Sequence, residues 1–249
     1  MLEKKIDKLI NSYHKKVFGE KLYGSKILAL DVFNIKIEFY LKNNKKATIE
    51  NVSSNHLNIL TEFKNHLNKK SRDLFCPYPW NDKEKLRQAF LSTIENSKNK
   101  IDASFLIKSN NTPIGHFFLW KASNNLHSQR YDVQIPELGI AISDSYQGQG
   151  LGLLAIDFLQ VIAHYLKVDA IELTTAMSND GGWYVYKKMN FEYTGDIMNP
   201  LEVDVTEEIN KEQSNTKYRS ERQMVYIINK EKKEKILKYL SIKRNKFKK

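Results

Sequence analysis

Three glycines at alternate positions, Gly148, Gly150 and Gly152, stand between two apolar runs. Before them Leu138-Gly139-Ile140-Ala141-Ile142 alternates; after them Leu151 to Leu166 is almost continuously apolar. That order reads as strand, glycine loop, helix. A loop of small residues that opens a helix leaves several backbone N–H groups unpaired and aimed outward, with the positive end of the helix dipole behind them. The chemistry this offers is anion binding, best suited to a phosphate or pyrophosphate. The single cysteine, Cys76, lies between Phe75 and Pro77 and reads as a half-buried loop thiol rather than a nucleophile.

Three kinds of loop fit a glycine run of this sort. A P-loop requires Lys-Ser or Lys-Thr after the last glycine, and Leu153-Leu154 follow here, which excludes it. A dinucleotide fold requires G-x-G-x-x-G early in a strand-helix-strand unit; the spacing here is G-x-G-x-G, near mid-chain, although Glu172 lies at a suitable distance downstream and keeps that reading open. The third is Gln/Arg-x-x-Gly-x-Gly/Ala, in which a loop after a strand grips the pyrophosphate of coenzyme A. Gln147-Gly148-Gln149-Gly150-Leu151-Gly152 fits it fully, and to that extent resembles the GNAT superfamily of acyl-CoA N-acyltransferases.

The elements around the loop follow from periodicity. Residues 2–17 form an amphipathic helix with Leu2, Ile6, Leu9, Ile10, Tyr13 and Val17 on one face. A hairpin over 33–52 turns at Asn43-Asn44. Helices are expected over 55–68 and 82–97, the second capped by Asp82, with a break at Pro77 and Pro79. Strands at 102–108 and 113–121 join at Asn110-Asn111; the polar stretch 122–135 leads to the strand before the loop. Beyond the loop helix come a strand at 171–175, a helix at 180–189, a strand at 192–196, an acidic insert at 197–221 and a last strand at 224–228. This succession is similar to the GNAT fold from about residue 47 to 229. A second motif supports the resemblance: Asn179 through Tyr186-Lys187-Lys188-Met189-Asn190-Phe191 resembles the family's Asn, seven residues, then Tyr-x-Lys-hydrophobic-Gly-Phe, with Asn190 for the glycine. The expected fold class is α+β, a mostly antiparallel twisted sheet flanked by helices. The expected organisation is an N-terminal helix and strand extension (1–46), an acetyltransferase domain (47–229) and a basic C-terminal helix or tail (230–249).

The resemblance assigns roles. Backbone groups of Ile140, Ala141 and Ile142 would hold the pantetheine arm and acyl carbonyl, and the loop from Gln147 through Gly148, Gln149, Gly150, Leu151 and Gly152 would hold the pyrophosphate. Gln147 stands where Arg is common, a weaker but still competent donor. Asn179 matches a cofactor-contacting side chain, or is simply a helix cap. Tyr186 matches the general acid that protonates the leaving thiolate. Glu137 resembles the general base; His116 is a second candidate base, though a lone histidine in an aromatic strand is more often structural. Trp183, where a small residue is usual, is expected to reshape the acyl pocket. Acetyl-CoA is the implied co-substrate and no metal is implied. The implied reaction is direct transfer to a primary amine, with a non-catalytic acyl-CoA sensor or scaffold as the alternative. Tyr186 and an open acceptor cleft separate the two.

The bulk numbers fit a globular chain with one substantial core and a small accessory piece. The 249 residues carry a net charge of +11, but +8 of it lies in 230–249, where ten Lys or Arg face two Glu. Such a terminal run reads as a solvated tail, and it disfavours a nucleic-acid partner because it lacks interleaved aromatics. No apolar run is long enough for a membrane span, and the N-terminus lacks the apolar core of a signal peptide. One cysteine favours the cytoplasm. The partners expected are a small-molecule or protein amine, cationic if the acidic insert (Glu202, Asp204, Glu207, Glu208, Glu212) flanks the cleft, and a second copy in a homodimer.

Overall fold

Strands buried on both faces at the centre and alternately buried and exposed towards one edge build one sheet. The computed structural model describes residues 2–19, 25–75, 77–200 and 218–245. Among them nine strands run in the order β1-β2-β3-β4-β5-β6-β7-β9-β8. They are β1 (Lys26–Asp31), β2 (Asn34–Tyr40), β3 (Lys46–Asn51), β4 (Ala103–Ser109), β5 (Thr112–Trp120), β6 (Glu137–Ile142), β7 (Ala170–Ala176), β8 (Glu192–Pro200) and β9 (Tyr218–Ile227). All neighbours pair antiparallel except β6 and β7, which run parallel. Asn44 and Asn110 close their hairpins with φ of 62° and 53°, a region asparagine tolerates better than most side chains.

One sheet face is covered by α1 (Leu2–Phe18) and α6 (Leu151–Tyr165). Ile6, Ile10 and Tyr13 of α1 and Phe158, Leu159 and Ile162 of α6 join one core with Ile37, Phe39, Phe105 and Phe117. On the other face α2 (Leu57–Glu62) and α4 (Lys83–Lys98) pack Leu60, Leu86 and Phe90 against Leu106 and Phe118. Asp82 caps α4 by accepting from the Lys85 N–H at 2.9 Å.

Four expectations are corrected. Lys26–Asp31 is an additional strand, β1, whose weak alternation hid it. The helix expected over 55–68 is α2 alone, tightened into 3₁₀ turns at each end, and a separate α3 (Lys69–Leu74) follows, capped by Asn68 accepting from Ser71 N–H at 2.8 Å. The 197–221 insert is shorter, because its ends extend β8 to Pro200 and begin β9 at Tyr218. The basic C-terminal run is not a solvated tail: Lys233–Asn245 is a helix, α8, with Ile236, Tyr239 and Leu240 buried against Val133, Ile135, Ala170 and Val225. Its apolar residues recur at helical spacing inside the charge run, so burial outweighs the cost of bringing lysines to the surface. Cys76 and the acidic residues from Glu202 to Glu212 lie outside the described residues.

Because α1 shares the main core, Ile10→Ala is expected to destabilise the whole fold by ~2–5 kcal/mol in a single unfolding transition, measured by urea denaturation. Two separate transitions would mark residues 1–46 as an independent unit.

Candidate active site

The site begins where the sheet fails to continue. β6 is paired to β5 along its whole length, from Trp120↔Glu137 to Gly115↔Ile142. To β7 it is paired only at Glu137↔Glu172. Beyond that pair the strands diverge, and the β6 backbone edge from Leu138 onward has no strand partner. A cleft of about 640 Å³ opens there, lined by Glu137 through Ile142, Gln147, Thr174, Thr175, Asn179 and Tyr186. Its other wall is aromatic: Phe118 and Trp120 stack at 4.5 Å with Phe75 beside them. Gly139 is required under that stack, since a Cβ there would stand 2.2 Å from the Phe118 ring.

At the cleft's end lies the glycine loop. Gly148 and Gly150 have φ of 72° and 83°, the left-handed region where side chains are strained. Gly150 is the N-cap of α6, so the Leu151, Gly152 and Leu153 N–H groups precede any intrahelical partner. Leu154 N–H is the first to bond back, to Gly150 at 3.0 Å. Together with the Gly148 and Gln149 amides they fit a diphosphate. Gln147 lines the cleft. Its N–H donates to the Asp144 carbonyl at 3.2 Å, and its exposed side-chain amide donates to the Ile142 carbonyl (3.0 Å), the Asp144 carboxylate (3.1 Å) and Ser71 Oγ (3.3 Å). Asp144 also accepts from Asn68 N–H at 2.5 Å and Ser71 Oγ at 2.6 Å, fastening α3 to the loop.

Asn179 caps α7 (Asp180–Lys188): it accepts from Gly182 N–H at 3.0 Å and donates to Thr175 Oγ1 at 2.9 Å while lining the cleft. From α7 the Tyr186 ring reaches the cleft wall, 9% exposed, with Phe191 at 5.9 Å. Burial pushes its phenol up to about 12, so it is fully protonated at neutral pH. Asn190 ends α7 with φ of 63°, fulfilling the role of the usual glycine. Glu137 stands at the mouth of the splay, next to Glu172, and both contact Lys243 of α8.

Two candidates lie elsewhere. Trp183 does not line the cleft; its ring is held by Arg222 at 4.8 Å, Lys187 at 5.2 Å and Tyr193 at 5.4 Å. His116 is fully buried, bonded through Nε2 to Ser104 Oγ at 3.0 Å and packed among Tyr78, Phe90 and Phe118. Burial pushes its imidazole down to about 3, too weak a base for an amine. His116 shares its strand face with Phe118 and Trp120, but Tyr78, Phe90 and Phe118 cover it and keep it from the cleft.

The residues sequence reasoning missed are Lys243, Ser71, Asp144, Arg219 and Glu221, all in or beside the cleft. Only Lys243 carried a signal, the helical spacing of Ile236, Tyr239 and Leu240. Among the described residues no group of three His, Cys, Asp or Glu could hold a metal ion, and no helix is long and apolar enough to cross a membrane.

The model of the Acetyltransferase (GNAT) family matches residues 66–191, half the chain, from α2's end through the Asn179–Phe191 motif. This chain belongs to that family and is a GNAT-type N-acetyltransferase. Among solved structures it is similar to RimL, a ribosomal L7/L12 alpha-N-protein acetyltransferase in complex with coenzyme A, at 14% identity and a TM-score of 0.55, over 82% of this chain and 99% of that one. It is also similar to a ribosomal-protein-S5-alanine acetyltransferase from Vibrio fischeri (13%, TM-score 0.54, 74% and 94% covered). A third is the spermidine N-acetyltransferase from Vibrio cholerae in complex with CoA and spermine (17%, TM-score 0.53, 73% and 95% covered). No protein of curated function matches the sequence.

His116 gives a prediction with a definite sign. Its folded pKa lies below the unfolded value of ~6.5, so the unfolded chain binds the extra proton between pH 6.5 and about 3. Stability should therefore be lost as pH falls through that window, by up to ~1.4 kcal/mol per unit from this residue. His116→Gln should remove that component in denaturation measured from pH 7 to 4, and should leave turnover standing.

Proposed function

We propose that this enzyme transfers an acetyl group from acetyl-CoA to a primary amine by direct attack within a ternary complex. The observation that carries the reading is the splay of β6 from β7 beyond Glu137↔Glu172, opening onto the free amides of the glycine loop. The unpaired β6 edge at Ile140, Ala141 and Ile142 suits the amides of a pantetheine arm, and an N–H there is placed to stabilise charge developing on the thioester oxygen. The loop from Gln147 to Gly152 takes the pyrophosphate, with the Gln147 side chain at the cleft rim bonded to Asp144 and Ser71. Tyr186, protonated and in the cleft wall, gives its proton to the departing thiolate. An amine of lysine type has a pKa of ~10.4 and must shed a proton before attack. Glu137 receives it, directly or through water. No covalent enzyme intermediate is needed when both substrates are held together, since proximity supplies much of the rate. We place the acceptor at the Phe75–Phe118–Trp120 wall and the enzyme in the cytoplasm, consistent with its single cysteine.

Calorimetry with acetyl-CoA, followed by a thiol-release assay over a panel of amines, tests this. Tyr186→Phe should lower kcat by ~10²–10⁴-fold with the acetyl-CoA Kd nearly unchanged. Gly150→Val should abolish binding, because its φ of 83° excludes a branched side chain. Normal turnover by Tyr186→Phe would remove that residue as the acid; failure of the wild-type chain to bind CoA would remove the whole reading.

A cationic acceptor is favoured by the acidic composition between β8 and β9; the cleft carboxylates Glu137 and Glu221 are each paired already, with Lys243 and Arg219. Neutralising Glu202, Asp204, Glu207 and Glu208 together should raise KM for a polyamine several-fold at low salt and leave that for a neutral amine unchanged. Equal KM values for both would point to an uncharged acceptor.

A further inference from the structure

Glu137 and Glu172 are direct partners across the one parallel bridge, so both side chains leave the same sheet face. The Glu172 side chain is only 2% exposed and that of Glu137 is 37% exposed. Two carboxylates this close to each other, in a partly dry site, cannot both stay ionised without a cation. α8 delivers one. Lys243 Nζ stands 3.0 Å from Glu172 and 3.5 Å from Glu137, with its side chain 21% exposed. Gln223 Nε2 also donates to Glu172 at 3.4 Å, and Arg244 holds the Gln223 oxygen at 2.8 Å. The shorter bond goes to the buried carboxylate, and the longer leaves Glu137 facing the cleft.

We propose that Lys243 is a positioning residue for acetyl transfer: its ammonium bridges Glu172 and Glu137 and holds the Glu137 carboxyl group turned to the acceptor amine. The inference rests on Glu137 acting as base in the reaction proposed above. Burial alone would push the Lys243 ammonium down, yet Glu172 and Glu137 together hold it above the ordinary lysine value. It is therefore a fixed cation and not itself an acceptor amine. The other groups facing this cluster are Tyr239 of α8, which Glu172 and Glu137 keep protonated along with burial, and Lys121 and His127 on the β5–β6 connection. None of them contacts both carboxylates as Lys243 does.

The test is the pH profile of kcat/KM, together with ¹³C NMR titration of the Glu137 carboxyl in the full chain. In Lys243→Met the acidic limb and the NMR midpoint should both move up by about one pH unit, with ~10-fold lower kcat/KM near the wild-type limb. Lys243→Arg should keep the limb in place and the Kd for acetyl-CoA should not change in either variant. Glu172→Gln leaves Glu137 as the one carboxyl group on Lys243, so it should move both readouts the opposite way, and it serves if Lys243→Met does not fold. A limb and midpoint that stay at the wild-type values in Lys243→Met or Glu172→Gln would overturn the proposal. Should the wild-type chain bind acetyl-CoA but release thiol on no amine, the acetyl-transfer reading falls, while the NMR midpoint still decides whether Lys243 governs Glu137.

Discussion

The structure turns on a single backbone pairing. β6 and β7 meet at Glu137↔Glu172 and nowhere further. A parallel ladder carried through to Ile142 would fill the space with hydrogen bonds and leave no cleft. By parting after one pair, the sheet trades several ladder bonds for an edge of unsatisfied N–H and C=O groups, which an extended amide-bearing ligand can complete. The flanking elements keep that gap open. On one face α6 packs β5 and β6, with α1 beside it over β1 and β2, while α8 covers β7 and β9 on the other. The pairs on either side, β5 with β6 and β7 with β9, are long and regular, so the discontinuity is confined between two rigid half-sheets.

Much of this was legible in the residues. The glycine loop was readable because its function requires a backbone conformation, and only glycine supplies φ of 72° and 83° cheaply at Gly148 and Gly150. The α1 and α6 faces were readable because burial imposes a 3.6-residue period. Tyr186 and Glu137 could be singled out only through motif resemblance, and the structure puts both in the cleft wall. What escaped was set by tertiary packing. β1 lies at the sheet edge with its side chains half-exposed, so its alternation is faint. Gln147 could not be seen to bond its own loop, since Asp144 and Ser71 reach it only through folding. Trp183 was drawn from the cleft by Arg222, a partner 39 positions away in the chain.

The terminal lysines show how composition misleads. A run of ten basic residues in twenty suggests solvated chain, and the average hides the few that matter. Lys233 and Lys235 pair with Glu192 and Asp132 at the surface, where such contacts are worth little individually. Lys243 meets two carboxylates in a largely enclosed position, where losing one partner leaves an uncompensated charge. Residues of one type in one helix thus differ in consequence because of what their helix faces.

Asp144 carries a different lesson. Its carboxylate takes Asn68 N–H and Ser71 Oγ from α3 with one hand and the Gln147 amide from the glycine loop with the other. The aromatic wall that α3 leads into and the glycine loop are thereby one mechanical part. A ligand that stiffens the loop would also stiffen the wall, and linkage makes such an effect mutual and equal in free energy. On the proposed reading, the affinities for donor and acceptor are therefore coupled.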